Sequence, residues 1–162
     1  MKKLIVLTLT ILNISIIAFS QNTNYEVYAL KLASARRPIP AKLVVMDVSD
    51  KDSLELVFMF WLVKGKNEKN ILVDAGFLRD IEDAKNFDIV NYVRPDSLLL
   101  RVGVRATDIT DIILTHPHWD HMDGIDLFPN AHIWIQKEDF NYFVGTAWQK
   151  NGNQGAFNKR DE

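Results

Sequence analysis

The chain has 162 residues, 48% of them hydrophobic, with 19 basic and 21 acidic side chains, a formal net charge of −2 and no cysteine. A mildly acidic chain has no electrostatic footprint for nucleic acid. The missing thiols exclude disulfide staples and sulfur-ligated metals, so stability must come from a buried core, which this length supplies as one domain.

The first twenty residues do not read as fold. Lys2 and Lys3 precede an apolar stretch from Leu4 to Phe19, and Ala18-Phe19-Ser20 places small residues before Gln21, the order of a secretory signal peptide. The stretch is short of the roughly 20 predominantly apolar residues a membrane span needs, and Thr8, Thr10, Asn13 and Ser15 dilute it. The expectation is a signal peptide over 1–20, export to the periplasm or beyond, a mature domain over 21–162 and no membrane attachment after cleavage.

Residues 25–31 alternate in parity and predict a first strand. Arg36-Arg37-Pro38-Ile39-Pro40 breaks regular structure, because each proline lacks a donor and restricts its predecessor; its arginines read as a solvated loop. Residues 54–63 are dense in β-formers with no charge after Glu55, the pattern of a strand buried on both faces. The polar run 64–70 and then Ile71-Leu72-Val73 predict a hairpin. Asp74 closes its second strand, and a carboxylate there needs a partner: an imidazole N–H or, equally well on sequence alone, a turn before Gly76.

Residues 79–87 are helix-compatible. Pro95 to Gly103 predicts a short helix with Asp96 as cap and Gly103 as its left-handed stop. Residues 107–110 turn into a strand over 111–115, and the apolar run Ile112-Ile113-Leu114 leads into His116-Pro117-His118-Trp119-Asp120-His121. A helix beginning near Asp120 is expected to continue through 124–128, stop at Pro129-Asn130 and aim its first N–H groups at anionic ligands. Residues 131–136 alternate as a strand whose His132 faces the polar side and is not counted as a ligand. Residues 138–148 read as a helix with packing aromatics, and from Asn151 the composition turns polar and glycine-rich.

Three of the four histidines fall within six positions, with a carboxylate between them. Imidazole nitrogen and carboxylate oxygen are ligands of Zn²⁺ and related ions. In an extended segment residues i and i+2 point the same way, so His116 and His118 can share one ion, while Asp120 and His121, after a turn, can face a second. One such histidine would be read as a surface residue, and Asp120 as a cap or turn; the cluster argues for a metal.

His116-x-His118-x-Asp120-His121 resembles the metal motif of the metallo-β-lactamase superfamily. Ile71-Leu72-Val73-Asp74-Ala75-Gly76 is similar to that family's strand ending in Asp-x-Gly, residues 111–115 to the strand delivering its histidines, and the layout around Tyr92-Val93 and Gly103 to its acyl-homoserine lactonase-like branch. The resemblance implies an α/β fold, an αββα sandwich of which this chain has the first half, with a mixed β-sheet flanked by helices and a domain truncated at its C-terminal end. It also implies two zinc ions, with His116 and His118 on one and Asp120 and His121 on the other, the remaining ligands falling beyond Glu162. Asp74 would stand behind a ligand, not on the metal. Asp123 departs from the family, where many relatives have the first of two glycines, and is expected to perturb the turn after His121.

The resemblance further implies hydrolysis of an ester, lactone or amide bond in a small-molecule substrate by a shared metal-bound hydroxide, with Asp120 orienting the water or passing a proton. Because the motif gives each ion two ligands where a catalytic zinc normally has three from protein, the alternative is an inactive fragment acting as a binding or partner-dependent module. That module would leave apolar sheet surface open and form a homo-oligomer to cover it.

Overall fold

The computed structural model describes residues 25–158, so the signal-peptide expectation for 1–20 lies outside them. Strand β1 is Glu26–Ala35, running past the predicted end at Lys31 with a register shift between Lys31 and Ala33. A two-stranded ribbon follows, β2 (Ile39–Pro40) against β3 (Ser53–Leu54). Then come β4 (Val57–Lys64), β5 (Asn70–Val73), helix α1 (Glu82–Asn86), β6 (Ile89–Val90), α2 (Pro95–Leu100), β7 (Asp111–Ile113), α3 (Trp119–Met122), β8 (His132–Trp134) and α4 (Lys137–Val144).

The main sheet has the order β6-β1-β4-β5-β7-β8. Strands β6, β1, β4 and β5 pair antiparallel, whereas β5, β7 and β8 run parallel. This is the expected mixed sheet, and the β4–β5 hairpin is where the polar run 64–70 predicted it. Among the described residues no helix is long and apolar enough to cross a membrane.

Period-2 geometry sends Leu30 and Leu32 of β1, Phe58, Phe60 and Leu62 of β4, Leu72 of β5 and Ile112 of β7 to one face. There they meet Ala84 of α1, Leu98 and Leu99 of α2, and Trp119 and Met122 of α3 in one core. A fully buried side chain such as Phe60 contributes about 2–3 kcal/mol. The expectation that residues 54–63 are buried on both faces fails: the strand begins at Val57 and its other face is open among the described residues, with Trp61 42% exposed. Register carries an apolar row across that face, Ala29–Trp61–Val73–Ile113–Trp134. An uncharged run shows only that neither face is charged; what packs on the second face is not written in it.

Three further expectations are corrected. Asp96 does not cap α2: Arg94 is the N-cap residue and Pro95 takes the first helical position, where its missing N–H costs nothing. The Asp96 carboxylate instead pairs with the Arg94 guanidinium at 2.6 and 2.8 Å; Gly103, at φ +73°, is left-handed as predicted. The helix predicted from Asp120 through 128 is one turn, α3, followed by a 3-10 turn at Ile125–Leu127. The strand over 131–136 is confined to β8.

Glycine is needed at two places that bring the ends of β5 and β7 to the histidines. Gly76 has φ +68°, and a Cβ there would stand 2.8 Å from Leu32 Cδ2. At Gly124 a Cβ would lie 2.3 Å from the Ala75 carbonyl oxygen, a backbone atom that cannot rotate away, and the Gly124 N–H donates to Gly76 O at 3.0 Å. Gly124→Ala is expected to destabilise the protein by about 3 kcal/mol, the upper range for forcing bulk into a packed site. Urea denaturation checks it; a loss within the few tenths typical of an exposed glycine would contradict the close approach.

Candidate functional site

Strands β5 and β7 are parallel neighbours, so their carboxyl ends open side by side, where α/β sheets place their sites. Just past β5, the Asp74 N–H donates to Ile113 O at 2.9 Å and the Ala75 N–H to His121 O at 2.7 Å. Asp74 is 5% exposed and has φ +63°, a left-handed conformation that aspartate tolerates better than most residues. Past β7, Leu114 donates to Trp134 O, and residues 115–118 loop into α3.

Alternation then sorts the motif. Pro117, Trp119 and Met122 are buried, whereas His116, His118, Asp120 and His121 are only partly so. Trp119 holds the segment down, its ring centroid 4.8, 5.6 and 5.8 Å from those of Phe77, Phe58 and Phe87. The remaining side chains converge: the His116 ring lies 4.4 Å from that of His118 and 4.0 Å from that of His121. The His121 Nε2 is 3.3 Å from an Asp120 carboxylate oxygen. The four motif residues named from sequence are therefore neighbours in space, and His132 is elsewhere, near Thr110 O at 3.4 Å.

Asp74 lies against the back of the cluster. One carboxylate oxygen stands 2.7 Å from His121 Nδ1, and the other accepts the Thr115 N–H at 2.8 Å. The Thr115 hydroxyl is 3.0 and 3.1 Å from the two Asp74 oxygens and 3.0 Å from His116 Nδ1. With Asp74 ionised, that hydroxyl donates to it and accepts from His116 Nδ1–H, leaving the lone pair of neutral His116 on Nε2. Two imidazoles are thus oriented from behind by one carboxylate. Sequence reasoning did not single out Thr115, although its place immediately before the first histidine and opposite Asp74 was a signal.

Charge follows the same geometry. Burial depresses the His121 pKa, but hydrogen bonds and charges from Asp120 and Asp74 outweigh it and raise it to about 9. For Asp74, burial pushes up while His121 and Thr115 pull further down, so its pKa is lowered. Burial, together with the charges of His121 and His118, lowers His116; burial and His121 lower His118 against the pull of Asp120. Neutral His116 and His118 are in the form a metal accepts.

A raised histidine stabilises fully below its unfolded pKa and loses that contribution as pH rises through its folded one; a lowered carboxylate stabilises above its unfolded pKa and loses as pH falls. With a chelator present, thermal stability should therefore decline as pH is raised from about 6.5 to about 9, by on the order of 2 kcal/mol. It should decline again in acid below the ordinary carboxylate range. A flat profile between neutral pH and 9 would contradict the Asp74–His121 pairing.

The donor set fits a zinc-type ion in chemistry: three imidazoles, one further carboxylate and no thiol, with Asp74 fixing two of the rings. Among the described residues no three such side chains already surround a single point; Asp120 and His121 are turned toward each other. The helix-terminus expectation is corrected as well. Helix α3 has four residues, and the Trp119 N–H donates to Ala156 O at 2.9 Å, so it is not available to an anion. Asp123, 4% exposed, takes the place of the family's glycine with its carboxylate accepting the Leu78 N–H at 2.7 Å and the Asn158 amide at 3.0 Å.

A mixed sheet whose parallel strand ends carry a histidine–aspartate cluster backed by a buried carboxylate defines an α/β fold of the metallo-hydrolase type. The sequence profile of the metallo-beta-lactamase superfamily matches residues 59–139, from within β4 through the hairpin and the whole cluster; the chain belongs to that superfamily. A probable metallo-hydrolase of Mycobacterium bovis is 35% identical over 75 residues, 40% of this chain and 24% of the relative. Among solved structures, a variant of AiiA from B. thuringiensis with N-decanoyl-L-homoserine at its active site is 21% identical, with TM-score 0.60, over 80% of this chain and 54% of that one. The dizinc quorum-quenching lactonase AidC is 26% identical, with TM-score 0.54, over 75% and 45%. The chain thus spans about half the length of these structures and about a quarter of the curated relative.

Proposed function

We propose that this chain carries the metal-gripping part of a zinc-dependent hydrolase acting on an ester or lactone. The observation that carries the reading is the convergence of His116, His118, Asp120 and His121 at the ends of parallel strands, with Asp74 behind His121. His116 and His118 would hold one ion, Asp120 and His121 a second. When bound, such ions supply a Lewis acid for the carbonyl oxygen and make a shared water acidic enough to ionise near neutral pH.

The chain's own residues then have separable tasks. Asp74 and Thr115 fix the ring planes of His121 and His116, so that the nitrogens facing outward are those without a partner behind them. Asp120, whose carboxylate lies 3.3 Å from His121 Nε2, would orient the water and take up its proton. The lactonases among the structural neighbours support a small cyclic or linear ester as substrate over a β-lactam. For the amino terminus we propose cleavage before Gln21 and export.

The test is zinc content by elemental analysis, together with lactone and ester turnover, on the full-length exported protein. Two zinc ions per chain with turnover abolished by chelation are expected. Turnover without zinc, or no turnover at saturating zinc, would overturn the reading; amino-terminal sequencing of the exported protein checks the cleavage site. The open apolar row through Trp61 and Trp134 favours a second reading, a partner-dependent module without activity. Sedimentation with and without zinc separates the two, since only that module is expected to self-associate regardless of metal.

A further inference from the structure

Residues 156–158 lie across the histidine motif, although nothing in the polar, glycine-rich composition of 151–158 marks them as part of a site. Three contacts hold this strap. Ala156, itself left-handed at φ +64°, accepts the Trp119 N–H at 2.9 Å. Asn158 donates its amide to the buried carboxylate of Asp123 at 3.0 Å. Between them the Phe157 ring sits edge-on or tilted in an aromatic box, 5.3 Å from Phe143, 6.2 Å from Tyr142 and 6.4 Å from Trp148. A further ring neighbour is His118, at 5.6 Å centroid to centroid.

Two of these anchors, Trp119 and Asp123, belong to the motif's own helix and turn, so the strap is fixed to the same short piece of backbone as His118. Phe157 brings no charge and no hydrogen bond to the partly buried imidazole beside it, and it is itself only partly buried. A polar group at that wall would gain nothing, whereas an apolar one would be removed from water against the ring.

We propose that Phe157 is a specificity-determining residue: it forms an apolar side wall next to His118, on which an alkyl or aryl group flanking the substrate's carbonyl packs, and the Asp123–Asn158 bond holds it there. The proposal rests on the hydrolase reading and deepens it by assigning substrate discrimination to a residue outside the histidine motif.

Binding of acetate and of octanoate to the zinc-loaded full-length protein, measured by calorimetry, tests it without requiring turnover. The unmodified protein should prefer octanoate. In F157A that preference should fall by on the order of tenfold, the worth of about 50 Å² of apolar contact, with acetate affinity and zinc content unchanged. F157L, which keeps apolar bulk in the box, should lose two- to threefold and covers the case in which F157A does not fold; N158A should fall between wild type and F157A. For esters of matching chain length, KM should rise for the long acyl group with kcat little changed. An unmodified protein that binds both carboxylates alike, equal losses for both in the variants, or an unaltered preference in F157A and F157L would each overturn the proposal. Absence of ester or lactone turnover would instead sink the hydrolase reading, while the carboxylate preference would still decide the role of Phe157.

Discussion

A protein carrying both His116→Ala and His118→Ala is expected to lose one zinc ion per chain and roughly three or more orders of magnitude in turnover, as when groups that act as one catalytic unit are removed. Its fold should survive. Both rings are only partly buried, and the segment is held by Trp119 in the aromatic core and by backbone bonds from Ala75 and Gly124. The stability change should stay within about 1 kcal/mol, as for substitutions away from core packing. Melting curves and elemental analysis on the same sample separate the two effects. His132→Ala is the control, because that ring lies beside Thr110 and away from the cluster; it should leave zinc and turnover unchanged. Wild-type turnover by the double variant would end the metal assignment, whereas zinc loss from His132→Ala would move it.

The parts of this site that could be read from sequence are those written in short-range periodicity. The i, i+2 spacing of His116 and His118, the turn that brings Asp120 and His121 to them, the hairpin that ends on Asp74 and the left-handed Gly103 are each fixed by a few adjacent residues. Other features depend on elements far apart in the chain. Phe157 meets His118 only because the chain after α4 folds back over α3, and no local pattern encodes that return. Asp123 departs from the family's glycine and is expected to perturb its turn; what local sequence does not show is that its carboxylate receives N–H groups from Leu78 and Asn158, one on either side of it in sequence.

The same distinction explains the failures in the fold. Asp96 follows a proline and looks like a cap, but the N-cap position precedes Pro95, and the carboxylate two residues past that position pairs with Arg94 instead. The uncharged run of β4 predicts two buried faces. One face is buried by Phe58, Phe60 and Leu62, and the other bears an apolar row that is open among the described residues. Such a row has the composition of an interior surface, so composition announced the chemistry of the face without naming its cover.

Asp74 is the residue whose loss should be felt most widely. Asp74→Ala is expected to cost about 3–5 kcal/mol, the range for removing one partner of a buried charged pair, and to weaken zinc binding by about 10- to 100-fold, as for groups that orient a metal's ligands from behind. Three donors would be left without their acceptor: the Thr115 N–H, the Thr115 hydroxyl and His121 Nδ1. Alanine also tolerates the left-handed backbone at this position less well than aspartate does. Asp74→Asn keeps the backbone preference and one acceptor oxygen but turns an amide toward one of these donors, so it should fall between wild type and alanine in both readouts. Pairing Asp74→Ala with Thr115→Val isolates the network, because both changes remove the same hydrogen bond. Their combined cost, measured by chemical denaturation of the metal-free protein, should be smaller than the sum of the two by about 1 kcal/mol or more, the signature of directly coupled groups. Simple additivity would mean that Asp74 and Thr115 act independently, and the carboxylate could not then be what sets the His116 ring.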